Sequence, residues 1–355
     1  MLLVGDINDW QVVKHDDGLR RLLVKVVPEL RQGQIVFANL EFALTDRGEW
    51  DPAMPWNSPE GGLNPDDVVA LSDAGFNIVS VANNQVMAWG PEGMLQTLEL
   101  LESQGIAHCG GGRNLSEAHT PAILEKNGVR VAFLAYTSVF VPSYRAGKNR
   151  PGMSVVEIHP SFRLHPRTFD QPGTLPIVTT TPNRQDVAAM QEDVRRAKTK
   201  ADVVVVSWHW GISEGYRKRV TYQTEVGRAA IDAGASMVVG HHPHLLQGVE
   251  VYKGAVIFYS LGNFAIWHRP AKVKDKLGRP PRVQDHDMAM VDCELDKSGI
   301  RTIALRPVLI NEVDQPEILN RSDGTRILDA LVKDSQEFGT SFVDQGDRLV
   351  IELTA

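Results

Sequence analysis

Asp, Glu, Asn and His recur in this chain at one kind of place, directly after short apolar runs. Asp6 follows Leu2–Gly5, and Asn39 and Glu41 follow Ile35–Ala38. Asn83 and Asn84 follow Ile78–Ala82, His209 follows Val203–Trp208, and Gly240-His241-His242-Pro243-His244 follows Met237–Val239. Carboxylate and amide oxygens with imidazole nitrogens are the donors that Mn, Fe or Zn accept, and no thiolate stands among them. A bridging carboxylate within a ring of histidines can hold two metals roughly 3.5–4 Å apart, activating water and stabilising a leaving oxygen.

Such side chains act together only if the fold brings them to one edge. The apolar runs Leu2–Val4, Gln34–Asn39, Ile78–Val81, Val129–Ala135, Val203–Ser207, Met237–Val239 and Val256–Ser260 read as buried strands. Amphipathic stretches over Asp66–Ala74, Pro91–Gln104, Asn183–Lys200 and Thr221–Ala233 read as helices, several followed by glycine. Strands apolar on both faces, alternating with helices, predict an α/β architecture. Ligands of an open α/β sheet bind beyond the carboxyl ends of its strands, where these polar residues fall. Residues 140–182, rich in Pro, Arg, Thr and Ser, and residues 268–287 read as long insertions within one domain spanning 1–355. The tail adds strand-like pieces at Met288–Leu295 and Arg301–Val308 and a last helix near Arg326–Phe338.

Thirty-seven basic against 44 acidic residues give a net charge of −7, which argues against a nonspecific nucleic-acid or membrane-surface binder. Two cysteines, Cys109 and Cys293, are too few for a disulfide framework and fit a reducing compartment. The start Met1-Leu2-Leu3-Val4-Gly5-Asp6 has no signal-peptide pattern, and no run approaches the roughly 20 apolar residues that span a bilayer. A cytoplasmic location is expected. Gly110-Gly111-Gly112 lacks the endings of a P-loop or a dinucleotide fingerprint, so neither ATP nor NAD is implied.

Gly5-Asp6, Asn39-Leu40-Glu41, Ala82-Asn83-Asn84, His209-Trp210-Gly211, His242-Pro243-His244 and Ser260-Leu261-Gly262-Asn263-Phe264 resemble, in order, the motifs of the CapA (poly-γ-glutamate synthesis) proteins. Those belong to the calcineurin-like metallophosphatase superfamily. Gly110 to Ala118 matches a further segment of the family, and the resemblance runs from Gly5 to about Phe264. It implies a four-layer sandwich of two mixed β-sheets flanked by helices, and one or two divalent ions. Asp6 would ligate the first metal, Glu41 would bridge, Asn84 and His209 would ligate the second, and His242 and His244 would divide between them.

Two departures stand out. The superfamily's Asp-x-His is here Asp6-Ile7-Asn8, and its Asn-His pair is Asn84-Gln85, with Ala88 at the position of a following Asp. Gln85 can orient a substrate but cannot carry a proton. Three readings therefore stay open. One is metal-dependent hydrolysis of a phosphoester or a peptide-like glutamyl amide, with His241, Glu214 or Tyr216 as candidate replacements for the lost acid. Another is metal-free epimerase or isomerase chemistry that pairs Asp6 with His242 or His244, with His209 beside them. The third is a non-catalytic accessory role in polymer synthesis. Asn83, Gln85 and Asn263 are expected to line the site, with Arg217 in the basic run 217–219 receiving a small or peptide-like anion. Trp208 and Trp210 should share the face opposite His209.

Overall fold

The computed structural model describes residues 1–8, 18–53, 64–213, 219–266 and 286–353. Arg217, Glu214, Tyr216 and nearly all of the 268–287 segment lie outside the described residues.

One sheet runs Phe342–Asp344, Leu349–Ile351, Gly299–Ile310, Asp287–Asp296, Leu2–Asn8, Val36–Leu40, Ile78–Ser80, Ala107–Cys109 in spatial order. It is parallel from Leu2–Asn8 to Ala107–Cys109 and antiparallel on the other side. Asn263–Ile266 adds in parallel to the end of Leu2–Asn8. The second sheet runs Leu246–Tyr252, Ala255–Leu261, Met237–His241, Val203–His209, Val129–Thr137, Ala122–Lys126. Its four central strands are parallel and its two outer pairings antiparallel.

Strand alternation sorts the apolar residues into three cores. Leu3, Phe37 and Ile78 of the first sheet meet Phe133, Val205 and Val239 of the second, with Phe37 and Phe133 stacked at 5.5 Å. Val4, Ala38 and Val79 face outward onto the helices Gly18–Leu23, Asp67–Ala74 and Gly90–Ser103. Leu134, Val206 and Trp208 face outward onto Arg184–Lys198 and Thr221–Asp232. The chain is thus an α/β fold of two mixed sheets flanked by helices. Each buried Leu, Val or Ile in these cores contributes about 1.5–3 kcal/mol. Among the described residues no helix is long and apolar enough to cross a membrane.

All seven expected strands and all four expected helices form, with ends shifted by a few residues. The excursion after residue 140 is more ordered than its composition implies: Ile158–Arg163 and Ile177–Pro182 pair as an antiparallel ribbon. Most of its side chains are exposed, so burial leaves no alternation there to read.

Close backbone approach sets the edge where the acidic residues and histidines gather. An added Cβ at Gly5 would lie 2.0 Å from the Gly262 carbonyl oxygen, the same oxygen that accepts from the Asp6 amide at 2.9 Å. At Gly240 it would lie 2.1 Å from the Tyr259 oxygen and 2.5 Å from the Trp210 indole nitrogen. Gly5→Ala and Gly240→Ala should each destabilise the protein by about 1–3 kcal/mol or more, read as a lower urea midpoint. Unchanged midpoints would contradict these contacts.

Candidate metal centre

Asp6 sits near the end of Leu2–Asn8, where pairing with both parallel neighbours slips register. Its carboxylate is fully buried. Oδ1 accepts from Asn39 Nδ2 at 2.9 Å and Oδ2 from the His242 backbone N–H at 3.1 Å. His241 Nδ1 stands 3.0 Å from Oδ1 and His244 Nδ1 3.6 Å from Oδ2. Burial alone would raise this acid's pKa, but the close approach of His241 and the charges of His241, His244 and His209 hold it well below the usual carboxylate range. Glu41, one residue past Val36–Leu40, is also fully buried. Its Oε1 lies 3.5 Å from His209 Nε2 and 3.7 Å from His244 Nε2.

The second sheet supplies the imidazoles. His209 and His241 end adjacent parallel strands as register partners. Trp208 and Trp210 point the other way, as strand alternation requires, stacked at 5.3 Å in the outer core. His209 Nε2 is 2.7 Å from Asn84 Oδ1, and Nδ1 is 3.2 Å from Asn39 Nδ2. Burial first, then the charges of His242, His244 and His241, push the His209 pKa well below its ordinary value despite the opposing pull of Asp6. His242 and His244 take positive φ values of 92° and 58°, which for such residues costs on the order of 1–3 kcal/mol each. That turn, with Pro243 at its centre, puts the His242 ring 4.6 Å from His209 and 5.8 Å from His244.

Three asparagines hold these groups in place. Asn39 Nδ2 bridges Asp6 and His209, and Asn39 Oδ1 accepts from Asn83 Nδ2 at 3.2 Å. Asn83 also donates to the Leu40 carbonyl at 2.8 Å and accepts from the amides of Gln85 and Val86. Asn263 Oδ1 is 2.7 Å from His244 Nδ1, which turns Nε2 toward Glu41. Asn83 and Asn263 are fully buried, whereas Asn84 and His244 are half-buried and Gln85 is 6% exposed. Asn39, a motif residue with no role expected of it, and His241, expected only as a stand-in acid, both sit inside the cluster. Pairing of His241 with His209 across adjacent strands is the signal that places it.

Two donor groups emerge: Asp6, Glu41 and His209, and Glu41, His242 and His244, each with ligand atoms within 4.8 Å of one another. They share Glu41. His241 Nε2 and both amide atoms of Asn8 are buried without a hydrogen-bond partner among the described residues. Unpaired buried polar atoms beside two buried carboxylates are what a site built for a cation presents. The donor set, oxygen and imidazole nitrogen only, fits Mn, Fe or Zn.

An α/β protein of two mixed sheets, with a His, Asp and Glu cluster able to hold a divalent metal at the strand ends, is the class these features define. The chain belongs to the bacterial capsule synthesis protein PGA_cap family, whose model matches residues 2–266. It is 29% identical to the capsule biosynthesis protein CapA of Bacillus anthracis, over 99% of this chain and 77% of that protein. To the PGA biosynthesis protein CapA of Bacillus subtilis (strain 168) it is 31% identical, over 94% of this chain and 77% of that one. A crystal structure of a hypothetical protein from Thermus thermophilus overlays with a TM-score of 0.44 at 15% identity, over 90% of this chain and 99% of that one.

Asn39→Leu keeps the volume and removes the donor to Asp6. It should cost about 1–3 kcal/mol by leaving a buried acceptor short of a partner, measured by urea unfolding. An unchanged stability would show that the inter-sheet amide is dispensable.

Proposed function

We propose that this chain is a metal-dependent hydrolase with a metallophosphatase-like four-layer sandwich, acting as one domain on a phosphoester or a peptide-like glutamyl amide. The observation that supports the reading is Glu41, common to both donor groups, which would let its carboxylate serve two ions. Asp6 with His209 would complete one side, and His242 with His244 the other, with Asn84 Oδ1 beside His209 Nε2. A divalent metal held there supplies Lewis acidity toward the scissile oxygen and lowers the pKa of water.

The chain's own residues favour ligation over proton shuttling. An Asp6 held well below the usual carboxylate range is a weak base, and burial that lowers the His209 pKa favours a lone pair over a proton on that ring. Both properties suit ligands and neither suits a two-base epimerase. Asn263 fixes His244 through Nδ1, the role a hydrogen-bonded neighbour plays for a ligating histidine. Substrate would approach from the side of Asn84, His242 and His244, the least buried members of the cluster. Gln85, on the loop with Asn84, would orient the leaving group without protonating it. The glutamyl option rests on the family, since the Bacillus subtilis relative is named for PGA biosynthesis.

Protein loaded with Mn or Zn should hydrolyse an aryl phosphate or a γ-glutamyl oligomer, and Glu41→Gln should lose at least about 100-fold of that rate. Absence of hydrolysis, with deuterium entering a glutamyl peptide from heavy water, would replace this reading with the metal-free acid/base one.

A further inference from the structure

Exposed apolar surface concentrates in one part of this molecule. Among the described residues the four most exposed large apolar side chains are Phe169, Leu175, Phe162 and Leu164, from 86% down to 64%. All four lie in the ribbon of Ile158–Arg163 and Ile177–Pro182 or in the chain joining its strands. Val178, also exposed, stands directly across from Phe162. Strand alternation puts Ile158, Pro160 and Phe162 on one face with Val178, Thr180 and Pro182. The ionisable side chains of the two strands, His159 and Arg163, fall on the opposite face. At the base of the uncharged face Pro182 is buried, and Ile158 packs against the outer core of the second sheet. Toward the tip the same face leaves that core and runs into water.

We infer that this ribbon is a self-association surface, on which a second copy of the chain packs its own ribbon face to face about a two-fold axis. A two-stranded ribbon is marginally stable until its apolar face is packed, and here the strands pair with no third strand among the described residues. The five side chains leave on the order of 600 Å² of apolar surface in water, as much as the largest patch of an ordinary monomer. Two copies together would remove about 1,200 Å², where specific protein interfaces begin. Charge points to a second copy as well. Each chain carries a net charge of −7, so self-association needs a face without charge, and this face has none. A two-fold contact then sets each apolar face against its own copy, with His159 and Arg163 left in water on the outside.

Sedimentation velocity of the whole protein over a concentration series tests it. The wild-type chain should sediment as a dimer at about 100 μM and dissociate on dilution. Val178→Lys, which sets a charge on the packed face, should weaken dimerisation by at least about tenfold. Phe169→Ser with Leu175→Ser, at the exposed tip, should weaken it too. Val24→Lys adds the same charge at an equally exposed valine outside the ribbon and should leave the dimer intact. All of these side chains are exposed, so each variant should keep the wild-type urea midpoint measured on dilute monomer. The inference is overturned by a wild-type monomer at about 100 μM, including one that instead binds phosphatidylcholine vesicles through this face. A dimer that survives Val178→Lys, or one that Val24→Lys weakens equally, also overturns it.

Discussion

Two carboxylates, those of Asp6 and Glu41, lie fully buried where the two sheets meet, and the rest of the site is arranged around that fact. An ionised acid removed from water is costly unless charges and donors surround it. Here the compensation comes from the opposite sheet: His209 and His241 from strand ends, and His242 and His244 from a strained turn. Neither sheet holds a complete cluster. The stacking of Phe37 on Phe133 and the inter-sheet core below therefore fix the distances between the carboxylates and the imidazoles.

Asn39 links this constraint to the fold. One amide nitrogen reaches Asp6 in its own sheet and His209 in the other, and its oxygen is tied back to Asn83. The cluster is thus held by amides outside the two donor groups, which keep its geometry while strain is stored at His242 and His244. Gln85 carries an amide that cannot transfer a proton, and Asn8 an amide without a partner among the described residues.

Much of this was legible in the sequence because parallel buried strands write themselves as continuous apolar runs, and the polar residue that ends each run marks the edge where the cluster lies. Asp6, Glu41, Asn84, His209, His242 and His244 come together as their positions after the strands implied. The roles of Asn39 and His241 were not legible, since each depends on a contact across sheets or a register between strands far apart in sequence. The ribbon after residue 140 escaped because exposed strands lack a buried face to impose alternation. The contact of Asp193 with His119 escaped for a related reason: an acid within an amphipathic helix reads as a solvated charge until the fold sets it against an imidazole.

The central claim is that the buried carboxylates and imidazoles exist to hold metal, and its most direct test is elemental analysis by mass spectrometry. Protein purified without an affinity tag should carry about one or two equivalents of Mn, Fe or Zn, lost in folded Asp6→Asn and His242→Ala variants. A folded wild-type protein with no metal and no uptake on dialysis against Mn or Zn would contradict it.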